Sequence, residues 1–189
     1  RGAARPAGLS VLLTAACVLL GGLNWWLILR GLGYALPLDL CLRIHTGSNL
    51  AGYVPGYAWK YLGKAYLTGK HGVPARALAA ALGYEFAGLL LSGLLVSLAL
   101  LPPSLQVARW QSIGPALRGA AIALTVAGLA VAPLLLARFV ARGHGAGPAG
   151  RAVRTPLLWG ALLLMVGSWL LYGTAHTLLV SGLAPLPRG

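Results

Sequence analysis

The chain has 189 residues, of which 58% are hydrophobic and only 9% charged, and its mean hydropathy is +0.80. Soluble domains carry about 25% charged residues, so this composition excludes an ordinary soluble enzyme or binding module. Several runs reach the roughly 20 apolar residues that cross a bilayer. The net charge of +13 rests on 15 Lys and Arg against two acids. The cations stand in short segments between apolar runs, as the positive-inside rule expects, and not on one face of a soluble fold, so nucleic acid is excluded as a partner.

The first apolar run predicts a helix over about Ala7 to Leu29, ending in Trp25, Trp26 and Arg30, which read as interface anchors. Arg1 and Arg5 ahead of it imitate a signal peptide, but the run is too long for that and lacks a clear cleavage site, so it reads as an anchor. A second segment, about Leu36 to Val54, carries Asp39, Arg43, His45, Thr46, Ser48 and Asn49. It is too polar for a lipid-exposed span, and Gly52 and Pro55-Gly56 then break it. Broken backbone at membrane depth survives only where protein or a wet cavity covers it, so the segment is expected to be re-entrant or buried in a bundle, with Asp39 facing protein. Tyr57 to Thr68 reads as a short amphipathic interfacial helix, with Lys60 and Lys64 on one face.

A third apolar helix is expected from about Ala75 to Leu101. It places Glu85, Gly88 and Ser92 on one small-residue face. Pro102 and Pro103 end it, and Leu105 to Ile113 reads as interfacial. A fourth spans about Leu117 to Val140, with Gly119, Ala123 and Ala127 as a close-packing row and Pro133 as a kink. Residues 142 to 152 read as a Gly-rich basic loop. The last helix is expected from about Pro156 to Val180, with His176 as a core histidine.

If the second segment does not cross, ten of the 15 cations share one side: Arg30, Arg43, Lys60, Lys64, Lys70, Arg76, Arg138, Arg142, Arg151 and Arg154. That side is expected to be cytoplasmic.

Both acids, Asp39 and Glu85, fall in membrane-embedded segments, where an ionisable residue is costly and points to function. Asp39 also admits a structural reading, as an i,i+4 partner of Arg43. Lys60 and Lys64 are suited to phosphate head groups or to plain positive-inside anchoring, and both readings stand. Tyr53, Tyr57, Trp59 and Tyr61 read as an interface belt or the wall of a lipid path. Cys17 and Cys41 read as buried free thiols. The four histidines are scattered, and no metal or cofactor is expected. Gly63 to His71 departs from a nucleotide loop, with five residues between its glycines and no hydroxyl after Lys70.

The stretch from Asn49 to Glu85 combines Asn-x5-Pro-Gly-x2-Trp, a cation with Tyr-Leu, Gly-Val-Pro, and a helix bearing a Glu. It resembles the transmembrane region of lysylphosphatidylglycerol synthases, the flippase-like domain family. The resemblance extends from the Trp-Trp-x3-Arg end of the first helix onward. It implies a larger multi-helix domain with re-entrant elements that translocates lipid between leaflets. Pro55, Gly56, Trp59 and Glu85 match the family pattern. Lys64 stands where the family usually has Arg, which keeps the charge but not bidentate phosphate binding.

The expected fold is all-α, a polytopic integral membrane helix bundle with a re-entrant or broken helix. Residues 1–189 read as one flippase-like domain, incomplete at the N-terminus, where the chain begins with Arg1, with cropping at the C-terminus left open. The expected function is binding or translocating a phospholipid or lipid-linked head group in the cell membrane. An anionic phospholipid or lipid-linked glycan would be the partner, and a homo-oligomer is left open. Arg30, Asp39, Arg43, Asn49, Pro55, Gly56, Trp59, Lys60, Lys64 and Glu85 are the candidate head-group residues. The chain reads as transporter-like, with no catalytic motif. The alternatives are the membrane subunit of an aminoacyl- or glycosyl-lipid synthase, or a non-catalytic envelope scaffold.

Overall fold

The computed structural model describes residues 4–53, 55, 58–100, 115–142 and 153–183. Six helices follow one another among them: α1 (Ala4–Gly31), α2 (Leu38–Ala51), α3 (Ala58–Gly69), α4 (Ala75–Leu100), α5 (Pro115–Arg142) and α6 (Thr155–Leu183). Four of them, α1, α4, α5 and α6, are long and apolar enough to cross a membrane. The protein is an all-α integral membrane bundle. The stretches 101–114 and 143–152, with the interfacial segment and the basic loop expected there, lie outside the described residues.

α1 ends in a tight C-terminal motif. Tyr34 N–H donates to Leu29 C=O at 2.9 Å and Gly33 N–H to Arg30 C=O at 3.1 Å, while Gly33 takes φ 87°. This is the Schellman arrangement, in which only glycine adopts the left-handed residue without strain. The tight end turns the chain back at once. Pro37 stands at the N-cap of α2, where its missing N–H costs no helical hydrogen bond.

α2 runs antiparallel against α1. A Cβ at Gly22 would lie 3.0 Å from Leu42 Cα, and one at Gly21 would run into the His45 ring. These two glycines bring the backbones together. The hairpin matters because α2 and α3 are short. Fourteen and twelve residues rise about 21 and 18 Å, less than the roughly 30 Å hydrocarbon. Ala51 ends α2 partway along α1, and α3 returns beside it, so that Thr68 reaches Trp25 near the end of α1. The pair is a re-entrant hairpin that enters and leaves on the same side.

α3 is therefore not the interfacial helix expected from its amphipathic pattern. It packs on α2 and α4 and buries Lys64 and Thr68. Its polar face is turned inward because a polar partner waits there.

α4 starts on the side where α3 ends, and α6 starts beside the end of α1, where Arg154 N–H donates to Gly31 C=O at 2.7 Å. The long helices thus alternate in direction, α1 and α5 rising toward that side, α4 and α6 leaving it. Arg30, Lys70, Arg76, Arg138 and Arg154 lie at the same end of the bundle, while Arg118 lies at the other, near Leu98 at the end of α4. The core runs through Trp25, Ile28, Leu29, Ala81, Leu158 and Met165 where α1, α4 and α6 meet.

Three sequence expectations change. Gly119, Ala123 and Ala127 are exposed; α5 instead turns Thr125, Leu129 and Leu136 inward, because its apolar residues offer no single obvious stripe. His176 is exposed rather than in the core. Trp25, expected as a belt residue, is completely buried, while Trp26 carries the Arg30 guanidinium 4.8 Å from its ring centre.

Two outcomes check this architecture. Cysteines introduced at His71 and Arg154 label from one side of the membrane, and one at Pro115 labels only from the other; labelling of 71 and 154 from opposite sides excludes the re-entrant hairpin. Gly22→Val forces α1 and α2 apart and lowers stability by about 1–3 kcal/mol, whereas Gly160→Ala, with nothing within 4 Å, does not lower the melting temperature.

Candidate functional site

Glu85 is the eleventh residue of α4, about 15 Å along it and so near the middle of a bilayer. Its helical neighbours Gly88 and Ser92 are buried with it, as their spacing places them on one face. A Cβ at Gly88 would meet the Met165 sulfur at 2.6 Å, so the small residue is what lets α6 close on this face. Trp169 of α6 donates from Nε1 to Leu89 C=O at 3.2 Å and to Ser92 Oγ at 3.1 Å, and the Tyr84 hydroxyl donates to Leu158 C=O at 2.8 Å. These bonds fix α4 against α6 on either side of the carboxylate.

Lys64 reaches Glu85 from α3. Its Nζ donates to both carboxylate oxygens, at 2.6 and 2.8 Å, and the two side chains are 1% and 6% exposed. The same ammonium lies 4.3 Å from the Trp25 ring centre, a cation–π contact that gains strength away from water. Trp25 Nε1 in turn donates to Thr68 Oγ1 at 3.3 Å, one turn beyond Lys64. The doubly bonded geometry fits a charged pair.

Beside the pair lies a cavity of about 390 Å³ where α1, α2, α3, α4 and α6 converge. Glu85, Lys60, Asn24 and His45 supply its polar wall, with Ser168 and Cys17; Trp169, Tyr172 and leucines supply the rest. Behind this wall Asn24 Oδ1 and His45 Nδ1 are inaccessible and have no hydrogen-bond partner among the described residues. Such orphans are rare in native proteins. Among the described residues, no three His, Cys, Asp or Glu side chains gather to hold a metal ion.

The other described candidate residues do not line this cavity. Asp39 and Arg43 pair with each other at 3.6 Å, with side chains 66% and 80% exposed, so the expectation that Asp39 faces protein is corrected. The inward face of α2 is Cys41, Ile44, His45 and Ser48. The reason is local. Asp39 sits in the first turn of α2, where a carboxylate suits the helix dipole and Arg43 is one turn away, so neither needs a partner from the bundle. Arg30 covers Trp26, and Asn49 C=O accepts from Gly52 N–H at 3.0 Å at the end of α2. At the hairpin tip Pro55 C=O accepts from Trp59 Nε1 at 3.2 Å. Gly56 and Tyr57 lie outside the described residues. Tyr53 and Trp59 are exposed, Tyr61 half-buried.

Sequence reasoning missed Trp25, Asn24 and His45. Asn24 and Trp25 lie one helical turn after Gly21, and that Gly-x2-Asn-Trp spacing was the available signal for a close, polar helix contact. His45 had no such signal, because its neighbour Gly21 is distant in sequence.

The fold and the site together define a class: a polytopic membrane bundle with a re-entrant hairpin whose buried ion pair borders a largely apolar cavity with one polar wall. Comparison with protein-family models, curated proteins and solved structures finds no match to this chain.

Glu85→Gln leaves the Lys64 charge buried and half-paired. Removing one partner of such a pair typically costs about 3–5 kcal/mol, and a drop of that order is expected in detergent-solubilised thermal or chemical melts. The double variant Lys64→Met with Glu85→Leu recovers most of the loss, because neither charge is then stranded. A double variant as unstable as the sum of the singles contradicts direct coupling of the two side chains.

Proposed function

We propose that the protein holds the polar head of a membrane lipid in this cavity and passes it between leaflets, in the manner of the flippase-like family that the Asn49 to Glu85 stretch resembles. The observation that carries the reading is the position of the polar wall. Glu85, Lys60, Asn24 and His45 meet at mid-helix depth inside a bundle whose outer surface is apolar.

A phospholipid crosses slowly on its own because its head group must shed water in hydrocarbon, where each unpaired polar group costs several kcal/mol. A polar cavity halfway across removes much of that penalty. Lys60, at the start of the returning helix, offers the countercharge to a phosphate. Lys64 and Glu85 neutralise each other and hold the hairpin against α4, so their part is to keep the cavity open at that depth. The basic end of the bundle, with Arg30, Lys70, Arg76, Arg138 and Arg154, is the cytoplasmic one under the positive-inside rule. An anionic phospholipid or lipid-linked glycan of the cell membrane is the cargo. Movement follows mass action or an ion gradient.

The test is translocation of a fluorescent anionic phospholipid in vesicles carrying the purified protein, read by bleaching from outside. The protein speeds exchange over empty vesicles. Lys60→Gln slows it about tenfold or more, as loss of a charge contact worth about 1.4 kcal/mol or more requires, with the melting temperature little changed. Lys70→Gln, on the outer surface, leaves the rate unaltered. Exchange no faster than in empty vesicles overturns the proposal.

A further inference from the structure

We propose that the cavity, in this conformation, is entered from one leaflet only, the one at the end of the bundle away from the basic cluster, and that its apolar part is a binding site for the hydrocarbon chain of a lipid in that leaflet. This rests on the lipid-binding reading above and adds which membrane surface supplies the lipid.

The first observation is where the lining residues stand. At about 1.5 Å per residue, Asn24 and Cys17 lie about 10 and 21 Å from the basic end of α1, Glu85 and Leu89 about 15 and 21 Å from the basic end of α4, and Leu164 and Tyr172 about 14 and 26 Å from that of α6. The cavity therefore runs from the middle of the bundle toward the end where Arg118 lies, and not toward the basic end. Its polar wall is at the inner limit, where the hairpin supplies His45 and Lys60. The rest is hydrocarbon and aromatic rings, from Leu20, Leu89, Leu164, Met165, Trp169 and Tyr172. Trp169 and Tyr172, farthest from the basic end, are 38% and 52% exposed, so the mouth is there.

The second observation is what closes the other side. Between the polar wall and the basic end stand Trp25, Ile28, Cys41, Lys64, Thr68 and Leu158, each at most 1% exposed. α2 packs on α1 and α3 packs on α4, so the hairpin fills the space between those two long helices in the basic half of the membrane. It ends at Ala51 and restarts at Ala58. Past that tip α6 forms the back of the recess and α1 and α4 its sides. The hairpin is thus a floor, and the recess above it faces the opposite leaflet.

Chemistry names the occupant. Leu19 and Leu90, on the outer sides of α1 and α4, are 57% and 59% exposed and belong to the surface that lipid covers. The recess continues that apolar surface inward, and an apolar recess open to a bilayer takes hydrocarbon rather than water. Trp169 and Tyr172 bring amphipathic rings to its mouth, the residue types that settle at the membrane–water interface beside head groups. A lipid of that leaflet seats its chain against Leu20, Leu89 and Leu164, which places its head within reach of the polar wall below.

The experiment uses the wild-type full chain in sealed membrane vesicles of each orientation. The probe is a phospholipid with a diazirine on its acyl chain and a polyethylene glycol head too large to cross, so that it stays in the leaflet to which it is added. After irradiation the labelled residues are mapped by mass spectrometry. Leu20 and Leu164 report the recess; Leu19 and Leu163, their chain neighbours at the same depth and 57% and 72% exposed, report ordinary contact with lipid. Probe added on the Arg118 side is expected to label all four. Probe added on the basic side is expected to label Leu19 and Leu163 but to label Leu20 and Leu164 about tenfold less or weaker still, a ratio that matches about 1.4 kcal/mol. Equal labelling of Leu20 and Leu164 from both sides, or stronger labelling from the basic side, overturns entry from one leaflet and leaves the lipid-binding reading standing. Labelling of Leu19 and Leu163 with none at Leu20 and Leu164 from either side overturns both.

Discussion

A carboxylate and an ammonium facing each other at membrane depth constrain everything around them. Glu85 on α4 and Lys64 on α3 are each costly to keep charged away from water, and each becomes tolerable only when the other is within hydrogen-bond distance. That requirement sets how far α3 must reach and which face it turns to α4. It also sets the small residues at Gly88 and Ser92, which let α6 close over the pair and shut out lipid. Trp25 completes the enclosure from α1 by covering the ammonium with its ring and tying its indole N–H to Thr68.

The re-entrant hairpin follows from the same constraint. A chain that stops halfway across a bilayer exposes the broken ends of two helices, and lipid cannot satisfy their backbone groups. Here the end of α2 is closed locally by Gly52 and Tyr53 N–H groups, the tip is pinned by Trp59 on Pro55, and the returning helix is anchored by an ion pair. The hairpin leaves a gap between itself, α1 and α6 that no apolar side chain fills. The cavity is the space the hairpin's shortness opens, and its polar wall comes from residues that the hairpin brings to α1 and α4. The ion pair and the cavity are thus neighbours for one physical reason, and a change at either is felt at the other.

Two acid–base pairs of the same chemistry have opposite roles in this chain. Asp39–Arg43 lies within one helix, at an exposed first turn, and contributes the few tenths of a kcal/mol expected of an exposed i,i+4 pair. Lys64–Glu85 joins two helices, is nearly inaccessible, and couples the hairpin to the bundle. Separation in sequence and burial, rather than residue type, divide decoration from structure.

The sequence by itself determined the class of protein, the number and placement of the long helices to within a few residues, the break near Pro55 and the face of α4 on which Glu85 is buried. These are one-dimensional properties. Hydrophobic run length, the conformational limits of proline and glycine, and the cost of a lone acid in an apolar helix are all felt without knowing any neighbour. The tertiary structure decided which cation of the 60–64 helix meets Glu85. Helical spacing put Asp39 and Arg43 on one face but could not say whether that face turned inward. It put Trp25 near an interface but could not see that a lysine 39 positions later would lie against its ring. It offered no reason to bring Asn24 and His45 to one cavity, because the His45 ring reaches α1 only where Gly21 leaves it room. The direction a polar face turns is settled by the partner it finds across the bundle, and that partner is a property of packing, not of local sequence.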